Sequence, residues 1–119
     1  MKTKAKGKQT GPEFRTVNGQ RMVMLSEAQY ERLLQKADLW EPHLPEPNAD
    51  GNYPAREYML ASLARKIIRH RRRVGLSQAE LARRAGIRPE TLMRIEHAKQ
   101  SPSIHIVEKI DRALNEAEK

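Results

Sequence analysis

The chain has 119 residues, with 23 lysines and arginines against 15 aspartates and glutamates, a net charge of +8, 38% apolar residues, 4% aromatics and no cysteine. That is room for one small domain with an accessory segment, and it excludes a large enzyme, a disulfide framework and thiolate chemistry. No apolar run approaches the ~20 residues that span a bilayer, and the lysine-rich start lacks the apolar core of a secretory signal, so the chain is expected in the cytoplasm.

Residues 1–12 alternate Lys2, Lys4, Lys6 and Lys8 with small polar residues, and read as a disordered basic tail. Phe14 to Val17, then Asn18-Gly19, then Gln20 to Leu25 follow. Asn-Gly between two short runs predicts a hairpin, because both central residues of a type I′ turn need positive φ. Ser26 with Gln29 forms a capping-box pattern, and Tyr30, Leu33, Leu34 and Ala37 follow at helical spacing. This ββα unit over residues 13–37 is too small to be stable alone. Residues 38–57 form an acidic linker rich in proline (Pro42, Pro45, Pro47, Pro54), with Trp40 at its start.

Residues 58–119 read as helical. Pro54 is expected at a first helical position. Leu60, Leu63, Ile67 and Val74, flanked by Ala64 and Ile68, face a core in a helix ending near Gly75. Ser77 to Glu80 reads as a second capping box, opening a short helix that Gly86 ends. A third helix spans about 89–97, and Pro102-Ser103 introduces a fourth carrying Ile104, Val107, Ile110 and Leu114. The fold class is therefore mainly α, a bundle of four C-terminal helices preceded by the small ββα unit.

Spacing within Gln78–Ile95 decides the class. Ala82 is small where two crossing helices come closest, and Gly86 can take the positive φ of a short turn. Leu81, Ala85, Ile87, Leu92 and Ile95 supply the buried sides of both helices. Such a pair holds its second helix so that the outer face can enter a major groove. The net charge agrees in placement: it is +5 over residues 1–36, −4 over 37–59, +8 over 60–99 and −1 over 100–119. Concentrated positive charge of this kind is the footprint of a phosphate-binding face.

Leu76-Ser77-Gln78-Ala79-Glu80-Leu81-Ala82, Ala85-Gly86-Ile87, Thr91-Leu92-Met93-Arg94-Ile95-Glu96 and Pro102-Ser103 together resemble the helix-turn-helix domain of the phage lambda/434 repressors and Cro, the XRE family, over about residues 60–114. The resemblance implies a sequence-specific repressor that binds operator DNA. Arg88, Glu90, Met93 and Arg94 take the base-reading positions, the two arginines suited to guanine and Glu90 to a cytosine amino group. Gln78 takes the place of a residue that holds a phosphate and supports the reading helix, and Arg71 with Glu96 that of a structural pair. Arg69, Arg72, Arg73, Arg83 and Lys99 are the expected phosphate contacts.

Three positions depart from the family pattern. Pro89 removes one usual base contact. Ala98 stands where a glycine commonly ends the reading helix, so the following loop is expected to differ. The chain runs only five residues past Leu114, where such repressors add a dimerising fifth helix.

Phe14 to Leu34 resembles the N-terminal part of prevent-host-death antitoxins. Similar modules precede XRE domains in antitoxins of toxin–antitoxin pairs. The resemblance implies a type II antitoxin that represses its own operon and neutralises a toxin. Residues 13–37 would then form the homodimer contact, through hairpins pairing edge to edge, and residues 38–57 would help bind the toxin. The alternative is a stand-alone XRE-type regulator with no toxin partner.

Other classes fit less well. His43, His70, His97 and His105 lie in four elements without ligand partners at metal spacing, so no metal, cofactor or catalytic residue is expected. A protein-only role leaves the arginine-rich helix unexplained, and the scarce aromatics argue against single-stranded RNA.

Overall fold

A computed structural model describes residues 11–119. The basic tail expected over residues 1–12 therefore lies outside the described residues, apart from Gly11 and Pro12. The chain divides into two compact units, Met1–Trp40 and Glu41–Lys119.

In the first unit, β1 (Glu13–Val17) pairs antiparallel with β2 (Gln20–Met24), Glu13 opposite Met24 and Val17 opposite Gln20. Asn18 and Gly19 take φ of 52° and 77° between them, as the type I′ turn requires. Helix α1 (Glu27–Lys36) opens on a complete capping box: the Gln29 amide donates to Ser26 Oγ at 3.1 Å, and the Ser26 amide donates to Gln29 Oε1 at 2.8 Å. No residue from 13 to 37 is buried. Phe14, Val23, Tyr30 and Leu33 are each more than half exposed. The apolar stripe of α1 exists, but the described residues leave none of it buried.

The second unit holds α2 (Ala55–Arg73), α3 (Gln78–Ala85), α4 (Pro89–Glu96) and α5 (Ile104–Ala117). Helix α2 buries Leu60, Ala61, Ala64, Ile67, Ile68 and Arg71, the spacing of one helical face. Helix α3 packs against both α4 and α5, and α2 packs against α4. The core joins Leu76, Leu81, Ala82, Ala85, Leu92, Ile95, Ile110, Ala113 and Leu114. Gly86, in the left-handed region at φ 71°, ends α3 and lets the Ile87 amide reach the Ala82 carbonyl at 3.0 Å.

Local details differ from expectation in four places. Pro54 is the N-cap of α2 rather than its first helical residue. At α3 only half of the capping box forms. Ser77 Oγ accepts from the Glu80 amide at 3.0 Å, but the Glu80 carboxylate turns outward to Arg83 and Arg84. Ile104, one of the four apolar residues that marked the last helix, is 72% exposed, because it occupies the first turn of α5 ahead of the packed stretch.

The loop after α4 is the fourth. Ala98 adopts φ 60°, the left-handed conformation a glycine would take, and the Lys99 amide reaches the Arg94 carbonyl at 2.9 Å. An alanine there carries the Cβ strain that glycine lacks. Ala98→Gly is expected to raise stability by about 0.5–1 kcal/mol, the relief of strain exceeding the greater freedom of the unfolded chain. Urea unfolding checks this.

Candidate nucleic-acid interface

The centre of the site is a buried ion pair. Arg71, in the last turn of α2, donates from Nε to Glu96 Oε2 at 2.8 Å and from Nη2 to Glu96 Oε1 at 3.1 Å. Its Nη1 donates to the Leu76 carbonyl at 3.1 Å, in the turn before α3. Gln78, the first residue of α3, donates from Nε2 to Glu96 Oε1 at 2.8 Å. Arg71 is 1% exposed and Glu96 2%. Glu96 ends α4, where unpaired carbonyls make a carboxylate unwelcome, so the guanidinium offsets both that field and desolvation. The bidentate geometry fixes orientation as well as charge. Three helices are thus tied at one point.

This tie sets the outward face of α4. Leu92, Ile95 and Glu96 are buried on the inner side, while Glu90, Met93 and Arg94 are exposed at i, i+3 and i+4. Arg88, the N-cap residue, and Pro89 at the first position begin the same helix, and Arg88 is also exposed. The four residues expected to read bases therefore lie on the exposed side of one helix or at its start. Gln78 faces Glu96 with its amide.

The expected phosphate contacts are arranged differently. Arg69 donates to Glu41 from Nε at 3.2 Å and from Nη2 at 2.6 Å, and Arg72 Nη1 lies 3.9 Å from the same carboxylate. Arg73 donates to Glu118 at 3.0 Å, beside His70 Nε2 at 2.9 Å from the same oxygen. Arg83 pairs with Glu80, which also accepts from Arg84 at 3.0 Å. Lys99 is exposed. The hydrogen bonds from Arg69 hold the Glu41 carboxyl below the usual carboxylate range, against a smaller opposing effect of burial. Those from Arg83 and Arg84 do the same for Glu80, and those from Arg73 and His70 for Glu118.

Sequence reasoning missed Arg65, Glu41 and Glu118 as members of this charge network. Arg65, Arg69 and Arg72 at helical spacing were a visible signal; the acid that meets them, 24 positions before Arg65, was not.

A helix-turn-helix family profile matches residues 67–118. Residues of this chain are 43% identical over 51 positions to an uncharacterized HTH-type transcriptional regulator of Methanothermobacter thermautotrophicus, covering 42% of this chain and 74% of that protein. The chain belongs to the XRE-type helix-turn-helix family. A second family member, an uncharacterized HTH-type transcriptional regulator of Archaeoglobus fulgidus, is 38% identical over 50 residues, covering 42% of this chain and 71% of its own length. The profile match of this helix-turn-helix chain starts within α2 and runs through α5, leaving β1, β2 and α1 outside.

Removing one partner of the buried pair should be severe. Arg71→Ala is expected to cost about 3–5 kcal/mol by stranding the Glu96 carboxylate. The double change Arg71→Met with Glu96→Leu should recover most of that loss, since a buried pair and an apolar pair of similar volume are close in stability. Denaturant midpoints of the single and double variants decide this; a double variant as unstable as Arg71→Ala contradicts it.

Proposed function

We propose that this helix-turn-helix transcriptional regulator is a sequence-specific repressor that binds double-stranded DNA by placing the exposed face of α4 in the major groove. The observation that carries the reading is the Arg71–Glu96–Gln78 tie, which locks the inner side of α4 and leaves Arg88, Glu90, Met93 and Arg94 clear of the core. Arg88 and Arg94 would donate to guanine edges, and Glu90 would accept from a cytosine amino group. Lys99 would contact phosphate, and Arg69, Arg72, Arg73 and Arg83 would do so on exchanging their carboxylate partners for the backbone. As a homodimer the protein would span half-sites about 34–36 Å apart.

We further read the protein as the antitoxin of a type II toxin–antitoxin pair that represses its own operon. What supports this is the first unit. A two-stranded hairpin and one helix with no buried residue cannot be stable without a covering partner. Two chains pairing hairpin edges would supply one cover. A toxin lying along the rest of the acidic linker would supply another. Affinity capture of the tagged protein from its host, with mass spectrometry, should recover a stoichiometric small protein encoded next door. Recovery of DNA alone would leave a stand-alone regulator.

The DNA reading makes a quantitative prediction. Against a duplex selected from a random pool, Arg94→Ala should lose about 1–3 kcal/mol and its preference at one base pair. Lys99→Ala should weaken all duplexes alike and reduce the salt slope by about one. Equal, sequence-independent losses from both variants would overturn the assignment of α4 as the reading helix.

A further inference from the structure

Arg65, Arg69 and Arg72 stand at i, i+4 and i+7 on α2 and so share one flank of the helix. One carboxylate meets them all. Glu41 Oε1 lies 2.6 Å from Arg69 Nη2 and 3.1 Å from Arg65 Nη2, and its Oε2 lies 3.2 Å from Arg69 Nε and 3.9 Å from Arg72 Nη1. The attachment extends to the next residue: Arg65 Nη1 donates to the Pro42 carbonyl at 3.0 Å, and Pro42 is buried. The carboxylate itself is only 22% exposed.

Charge does not balance here. The guanidiniums of Arg65 and Arg69 alone outnumber the one carboxylate they share. A duplex phosphate offers the same pair of anionic oxygens, and guanidinium forks bind either group. Each of these ion pairs is partly exposed and screened by water, so one anion can exchange for the other. Arg73 differs: it and Glu118 are 63% and 41% exposed, an open surface pair.

We propose that Glu41 is an internal competitor for phosphate: in the free protein it occupies the Arg65–Arg69–Arg72 flank of α2, and it restrains DNA affinity until the backbone displaces it. The proposal rests on the DNA-binding reading above and goes beyond it. The flank is a further phosphate-contacting surface outside the reading helix, and the first residues of the acidic segment are its cover. Whatever draws residues 41 and 42 away from α2 strengthens DNA binding.

The test compares wild-type protein with Glu41→Gln on a mixed-sequence duplex by fluorescence anisotropy at fixed salt. Glu41→Gln should bind about three- to tenfold more tightly, the loss of competing ion pairs of this exposure. Glu46→Gln changes the net charge equally from an exposed position in the same segment, and should leave affinity within about twofold, since an exposed charge is screened by solvent and salt. The gain should vanish when Arg69→Gln is added, because the two residues act as one unit. Glu41→Asp keeps the charge with a shorter reach and should give an intermediate gain; it carries the test should Glu41→Gln lose its helical circular dichroism. Wild-type affinity in both Glu41 variants, an equal gain from Glu46→Gln, or a gain that survives Arg69→Gln overturns the proposal. If no protein binds any duplex, the DNA-binding reading itself falls, and the competitor with it.

Discussion

One buried ion pair joins α4 to the two helices before it, beside the core contacts of Leu92 and Ile95. Arg71 and Glu96 are almost wholly excluded from water, and each hydrogen-bonding edge is used: on the other's charge, on the Leu76 carbonyl and on the Gln78 amide. The apolar core of this unit is built largely of alanine, leucine and isoleucine, which fill space without dictating rotation about a helix axis. The ion pair supplies the direction that the core does not. A domain of this size holds about 5–15 kcal/mol in all, so an interaction whose disruption costs about 3–5 kcal/mol decides whether the arrangement exists.

The same residue types play a different part at the surface. A net charge of +8 suggests an open cationic face, yet Arg69, Arg72, Arg73 and Arg83 all meet carboxylates of their own unit. These pairs are partly or largely exposed and individually weak, and their hydrogen bonds hold the carboxyls of Glu41, Glu80 and Glu118 below the usual carboxylate range. The surface is a set of exposed ion pairs around a buried one.

How far this was legible in the sequence depends on the range of the interaction. Asn18-Gly19, the Ser26–Gln29 box and Gly86 act within a few residues, and each formed as its chemistry requires. The helix pair around Gly86 was readable because the placement of Leu81, Ala82, Ala85, Leu92 and Ile95 encodes burial directly. Competition between neighbours was harder. Glu80 suits a capping box, but two arginines one turn ahead draw its carboxylate away. Ala98 follows the geometry of the turn against its own preference, since the Lys99–Arg94 hydrogen bond holds the loop. Glu41 was least legible: in a proline-rich acidic stretch, nothing local distinguishes the carboxylate that folds back from those that stay exposed.

The two units obey opposite economies. The second buries a continuous core and a charged lock; the first, among its described residues, leaves most of its large apolar side chains exposed. The central claim concerns the second: a locked α4 presents its outer face to the major groove. Amide and side-chain NMR shifts on titration with a selected duplex test it most directly. The account predicts that the largest changes fall on Arg88 to Arg94 and on the Gln78 side chain, with the Arg71–Glu96 resonances protected throughout. Changes confined to residues 13–37, with α4 unmoved, would contradict it.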